Sequence, residues 1–255
     1  MTATSTERPS DAVRARVLRV DDGDSVVVAV GGIEQKVRLI GINSPERDEC
    51  LSDGARATLE DLIAGREVLL ESDIEPTDQF ERWLRYVWLD DRFINAEIVG
   101  RGMAIARAFE PNTARQAMLE TAEADARAGG LGIWDPNACG GEASSVVIEV
   151  VQLSENPPGR DEDDLNGEFI VLENRGDTVD LSGYVLRDGS SANRFRFPNG
   201  YVFEAARRVV VFVGCGDNSA EELYWCASGP VWDNQGDQAF LVAPTGGFVA
   251  TYEYP

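Results

Sequence analysis

The 255-residue chain predicts two domains, an α+β barrel with helical cover followed by an all-β sandwich. Two observations carry this. In the first half, short β-branched runs alternate with segments in which apolar residues recur at helical spacing; in the second half every patterned segment is strand-like. Between them, DPNACGGEASS (135–145) gathers Gly, Ala and Ser, the composition of a connection, and sets the domains at 13–140 and 145–255.

In order, VRARVLRV (13–20) and SVVVAV (25–30) read as strands, GGIEQ turns the chain, and KVRLIGI (36–42) returns as a third strand. SDGARATLEDLIAG places Ala55, Leu59, Leu62 and Ile63 on one helical face, with Ser52 as cap and Gly65 as stop. EVLLE and LRYVWL resume strands. NAEIVGRGMA is a second helix, and TARQAMLETAEADARAGG a third, opened by a Thr113–Gln116 capping box and closed by glycines. Three strands, a helix, two strands and two helices suit a small Greek-key barrel. Beyond the boundary, VVIEVVQL, EFIVLEN, GYVLRD, RFRF, RRVVVFVG, AFLVA and FVATYEY read as an antiparallel sandwich.

Composition narrows the chemistry. With 23 basic against 45 acidic residues the net charge is −22, which keeps the chain soluble and repels nucleic acid in bulk. Lys36 is the single lysine, and there is no histidine, so catalysis has to rest on carboxylates, arginines and a metal. No apolar run spans a bilayer, and MTATSTERPSDA has no hydrophobic signal core. The four cysteines, Cys50, Cys139, Cys215 and Cys226, form no C-x-x-C pair. They fit two disulfides in an exported protein, with three connectivities open.

Three segments hold candidate site residues. VDDGDSV (20–26) places Asp22 and Asp24 in a tight turn before a strand. RLIGINSPE (38–46) supplies Arg38, Asn43, the Ser44 carbonyl and Glu46, and TDQFERWLRY (77–86) supplies Asp78, Phe80 and Arg82. A turn and loop rich in hard oxygens suit calcium, and two planar guanidiniums suit a phosphodiester gaining negative charge. A carboxylate beside a metal makes a water nucleophile without histidine.

In this order and spacing the segments resemble the staphylococcal (micrococcal) nuclease family, from about residue 13 to Trp134 and including FEPNTARQ (109–116). The resemblance implies a five-stranded barrel of the oligonucleotide-binding type and calcium-dependent cleavage of DNA and RNA to 3′-phosphate ends. By position it makes Asp24, Asn43 and the Ser44 carbonyl the Ca2+ ligands. It makes Glu46 the group that orients or deprotonates water, and Arg38 and Arg82 the phosphate clamps. Asn43 stands where the family has an aspartate, so weaker calcium binding is expected. The family's Lys-Tyr is Gln79-Phe80 here, and its two later tyrosines are Arg107 and Phe109, which leaves Phe80 and Phe109 to stack on bases or merely to fill core. The resemblance also implies a Cys50–Cys139 pair.

NGEFIVLENRGDTVDLSGYVLRD (166–188), FRFPNG and VWDNQGDQAFLVAPTGG are similar to the lamin-tail domain, which implies an immunoglobulin-like accessory module with no catalytic set. In it Cys215 and Cys226 would close a short loop, worth about 3 kcal/mol on the chain-entropy argument. EDDLNGEFIVLE (162–173) nearly matches a calcium-loop spacing, but Pro157-Pro158 and a strand flank it, so it reads as an acidic turn. The expectation is therefore a secreted or cell-surface nuclease acting on DNA and RNA. The alternatives are a nuclease-fold protein that binds nucleic acid without cutting, and a surface or matrix protein whose sandwich does the work. Retention of Arg38, Glu46 and Arg82 favours the enzyme.

Overall fold

In a computed structural model, residues 12–47, 49–140, 145–190 and 192–254 are described; part of the predicted connection, 141–144, lies outside them. The chain divides between Asp135 and Pro136 into two compact units.

The first unit is built on β1 (Val13–Val20), β2 (Ser25–Val30), β3 (Ile33–Leu39), β4 (Ile42–Asn43), β5 (Glu67–Glu71), β6 (Trp83–Leu89), β7 (Arg92–Phe93) and β8 (Ile105–Ala106). The sheet runs β3-β2-β1-β5-β6-β7, and a parallel pairing of β3 with β6 closes five of these strands into a barrel. Closure leaves the interior for apolar side chains, and in β1 these are Ala15, Val17 and Val20. The step from 17 to 20 breaks strict alternation because a bulge in the β1–β2 register between Val17 and Arg19 inserts a residue, which returns Val20 to the interior.

Three helices cover the barrel: α1 (Ser52–Ile63), α2 (Ile94–Gly100) and α3 (Gln116–Ala128). The predicted face of α1, Ala55, Leu59, Leu62 and Ile63, is buried, and Gly65 follows its end at φ 67°. Two predicted caps are absent. Leu51, left-handed at φ 65°, precedes α1, while Ser52 Oγ donates to Arg47 O instead. Before α3 no side chain caps the helix; Arg115 turns its guanidinium to Glu71, and Ala114 N donates to Asp73 Oδ2, so the entry is tied to the end of β5. The second helix is shorter than predicted, since Gly102 at φ 66° ends it and the chain passes on to β8. The third predicted strand is likewise divided: only Gly31-Gly32 turns the chain, Ile33–Leu39 forms the strand, and a turn at Ile40-Gly41 separates the short β4.

Among its described residues the second unit holds ten strands: β9 (Ile148–Ser154), β10 (Phe169–Asn174), β11 (Val179–Asp180), β12 (Val185–Asp188), β13 (Arg194–Arg196), β14 (Val202–Phe203), β15 (Arg208–Phe212), β16 (Glu222–Tyr224), β17 (Asp237–Val242) and β18 (Phe248–Tyr254). Two four-stranded sheets, β16-β15-β10-β9 and β13-β12-β17-β18, share one apolar core in which Leu172 and Val211 of the first meet Leu186 and Leu241 of the second. The short β11, β14 and β16 carry too few residues to show alternation. β16 runs parallel to β15, an exception to the antiparallel pattern expected. A disulfide joins Cys215 to Cys226, and Cys50 and Cys139 are also disulfide-bonded, no cysteine being free. Residues 161–167 form two short 3₁₀ turns leading to β10, so the acidic segment lacks the helices of a calcium hand.

Candidate active site

The turn between β1 and β2 sets the first side chain. Asp22 Oδ1 accepts from the Asp24 amide at 3.0 Å, folding VDDGDS back so that the Asp24 carboxylate enters the structure. Gly23 is required there, because a Cβ at this position would lie 2.6 Å from Ser44 Cβ and 2.7 Å from Ala55 Cβ. That approach brings Asp24 onto the segment after β3. Asp24 Oδ2 accepts from both the amide and the hydroxyl of Ser44, each at 2.8 Å, and Oδ1 accepts from Ser25 Oγ at 3.2 Å. Partial burial and then the charge of Asp24 push the Asp22 carboxyl up to about 6.

Arg38 on β3 completes the cluster. Its Nη2 lies 3.2 Å from Asp24 Oδ2 and 3.1 Å from Asn43 Oδ1, so one nitrogen bridges two oxygens that stand 19 residues apart in the chain. Nη1 of the same guanidinium donates to Leu39 O at 2.6 Å. Asn43 is held from behind: β4 pairs with β8, Arg107 N donates to Gly41 O at 2.9 Å, and buried Asn95 donates to Ile40 O at 2.9 Å. The buried Glu123 of α3 secures β8 in turn by accepting from Ala106 N. Asp24, Arg38, Asn43 and Ser44 are thus brought together as predicted by position, and the fold supplies a rigid frame for them.

Glu46 is exposed. Its amide donates to Glu49 Oε2 at 2.8 Å and its carbonyl accepts from Glu49 N at 2.7 Å, which shapes the backbone and leaves its carboxylate without a partner among the described residues. Arg82 is oriented by Asp78, whose Oδ2 accepts from Nε at 2.7 Å while Oδ1 takes the amides of Phe80 and Arg82. Against slight desolvation, the hydrogen bonds from the Arg82 side chain and these amides hold the Asp78 carboxyl below its ordinary value. Phe80 is 69% exposed with the Arg82 guanidinium 5.7 Å from its ring centre, and Phe109 is 38% exposed with Arg107 at 5.9 Å. Neither phenylalanine is core. Asn112 clamps these two segments, accepting from Glu75 N at 2.8 Å and donating to Glu75 O at 3.0 Å.

Several positioning residues escape sequence reasoning: the Ser44 hydroxyl, Asn95, Glu123 and Asn112, whose partners lie far off in the chain or on the backbone, where spacing carries no signal, and Ser25, whose hydroxyl bonds the neighbouring Asp24 carboxylate. Among the described residues no three carboxylates or cysteines converge as a metal-holding cluster, and no helix is long and apolar enough to cross a membrane.

Comparison with known proteins finds a family for each half of the chain. The family described as staphylococcal nuclease homologue matches residues 36–136, and the Lamin Tail Domain matches 142–255. A thermonuclease of Staphylococcus intermedius is 33% identical over 125 residues, spanning 47% of this chain and 74% of the relative. Protein ParB of Escherichia coli is 35% identical over 136 residues (49% and 75%), and a micrococcal nuclease of Shigella flexneri is 33% identical over 135 (49% and 76%).

Proposed function

Since the chain belongs to the staphylococcal nuclease family and carries an appended lamin tail domain, we propose that its barrel is a calcium-dependent endonuclease that hydrolyses DNA and RNA. The observation that carries the proposal is the single Arg38 nitrogen held between Asp24 Oδ2 and Asn43 Oδ1. Two oxygens already converge on one positive group, and a cation with hard-oxygen preference fits that place once the guanidinium moves aside. Asp24, Asn43 and the Ser44 carbonyl would hold the ion, a donor set of one carboxylate, one amide and one carbonyl. Bound calcium supplies Lewis-acid polarisation of the phosphate and acidifies a water.

The chain's own residues do the rest. Glu46, with its carboxylate open to solvent, accepts the proton of the attacking water as the new P–O bond forms. Arg38, released from the oxygens it bridges, and Arg82, held in place by Asp78, stabilise the charge that builds on the phosphoryl oxygens as the P–O5′ bond breaks, the departing 5′-oxygen taking a proton from solvent to become a hydroxyl and the phosphorus remaining as a 3′-phosphate. Phe80 and Phe109 offer faces for base stacking, and Arg107 adds a charge beside the second. This local cluster of guanidiniums offsets a net charge of −22 where the substrate lies. Disulfide bonding of all four cysteines supports action in an oxidising compartment, outside the cell or on its surface.

A second reading, binding without cleavage, is favoured by Asn43, because a site with one carboxylate can rest with Arg38 as its cation. Incubation with single-stranded DNA across a calcium titration separates the two. Cleavage that requires calcium and stops with chelator supports the enzyme; retention of the strand uncut by folded protein at high calcium supports the binder.

A further inference from the structure

The outward face of the barrel sheet carries cations that the candidate centre does not use. In β1 the interior takes Ala15 and Val17, so Arg14 and Arg16 point outward, and both are exposed. In β3 the interior takes Val37 and Leu39, which sets Lys36, the single lysine, on the same outward face as Arg38. Most arginines of this unit are spent on carboxylates, as Arg19 is on Asp21, Arg56 on Glu60, Arg82 on Asp78 and Arg115 on Glu71. The side chains of Arg14, Arg16 and Lys36 have no ion-pair or hydrogen-bond partner among the described residues.

The strand register sets these cations in a line. Lys36 stands two residues from Arg38 on β3, about 6.7 Å away at the rise of a strand. Across β2, Lys36 pairs with Val27; two residues on, Ala29 pairs with Arg16 of β1. Two strand spacings and two residues therefore separate Lys36 from Arg16, about 12 Å, and Arg14 lies two residues further in the same direction. The carboxylates beside the line are Asp21 and Glu34, both engaged by Arg19, and Glu67, opposite Arg16 on β5. Three uncompensated cations against one such carboxylate make the line basic in a chain of net charge −22. A nucleic-acid strand can meet all of these cations, whereas a phosphate ion meets at most a neighbouring pair. We propose that Lys36, Arg16 and Arg14 continue from Arg38 as a track for the phosphates of a single strand leaving the candidate centre; it rests on the nucleic-acid substrate proposed above. Phosphate contacts carry no base information, so the track favours long strands over short ones without regard to sequence.

Equilibrium binding by the full chain tests it, with chelator present so that no strand is cut. Labelled oligothymidylate, long enough to cover the whole line, is titrated by fluorescence anisotropy at several salt concentrations. On a single strand each phosphate contact contributes about −0.7 to the slope of log affinity against log salt. Arg14→Gln, Arg16→Gln and Lys36→Gln are each expected to lessen that slope by about 0.7, and the triple variant by about 2. Arg196→Gln changes an exposed arginine of the second unit that has no ion-pair partner among the described residues. It alters the net charge as much as each single variant does and is expected to leave the slope as it is. Equal slopes in the track variants and in Arg196→Gln overturn the track and leave the nucleic-acid reading standing. Inorganic polyphosphate of matched charge has no bases to stack on Phe80 and Phe109 and is expected to bind about fivefold or more weaker. Equal binding overturns the strand as the occupant. No binding of the strand at any salt overturns the substrate class and the track together. Binding that depends on the track, with no cleavage once calcium is added, upholds the track and overturns the nuclease.

Discussion

Replacing Asn43 by aspartate asks whether the oxygen at this position is a calcium ligand. Asn43 Oδ1 and Asp24 Oδ2 lie 3.1 and 3.2 Å from one Arg38 nitrogen. Asn43→Asp puts a full charge on the first of these oxygens without changing its place. Two unit charges about 4 Å apart interact by about 4 kcal/mol at an effective dielectric constant near 20, and a divalent cation doubles that. Arg38 gains the same attraction in the metal-free state and must yield it, which cancels about half, and desolvation of the added carboxylate removes more. The net gain is on the order of 1.5–3 kcal/mol, roughly a ten- to hundredfold fall in the calcium dissociation constant. Calorimetric titration of both proteins at one ionic strength reads it directly, and the calcium giving half-maximal cleavage should fall in parallel. An unchanged constant in Asn43→Asp, with Asn43→Ala equally unchanged, would refute the assignment of this oxygen to the metal.

Three further outcomes follow from the same geometry. Asp78→Asn keeps an acceptor for the turn amides but removes the charge that holds Arg82; kcat should fall about tenfold or more while the unfolding midpoint moves little, and an unchanged kcat removes Arg82 orientation from the mechanism. Gly23→Ala forces a Cβ against Ser44 and Ala55, so denaturant unfolding should show about 1–3 kcal/mol of lost stability. Glu168, buried in the second unit, accepts from the amides of Val231 and Trp232, yet burial, with Asp161 nearby, raises its pKa above 4.5. A raised carboxyl holds its proton more tightly when folded, so this group's contribution to stability falls as pH rises upward from 4.5. Glu168→Gln keeps the acceptor and should lose that slope in thermal melts taken upward from pH 4.5; equal slopes in both proteins would contradict it.

Much of the fold is legible in the sequence because burial imposes a period. Ala55, Leu59, Leu62 and Ile63 repeat at helical spacing and are all buried on α1. Where a local hydrogen bond competes with a tertiary one, propensity misleads. Ser52 looks like a cap but spends its hydroxyl on Arg47 O, and the entry to α3 is governed by Glu71 and Asp73, more than 40 residues away in the chain. The bulge in β1 is similarly hidden, since an extra residue looks like an error of alternation until the partner strand is seen.

The same division runs through the site. Asp24, Arg38, Asn43 and Ser44 are legible from two short segments in order, and the barrel gathers them. The bridge by Arg38 is not, because it depends on how a β3 side chain folds over the following turn. Nor is the role of Asp78, which sequence shows only as an acid four residues before an arginine, though it fixes that arginine with three hydrogen bonds to one turn.

The most direct test of a carboxylate-assisted nuclease is single-turnover cleavage of single-stranded DNA at saturating calcium by the protein and by Glu46→Gln. Glu46 is exposed, and its backbone bonds to Glu49 do not involve the side chain it would lose, so the variant keeps the fold. Cleavage by the protein, with a rate about 10²–10⁴-fold lower in Glu46→Gln and strand affinity unchanged, is the predicted result. Equal rates in the two proteins, or no cleavage by either at any calcium concentration, would contradict it.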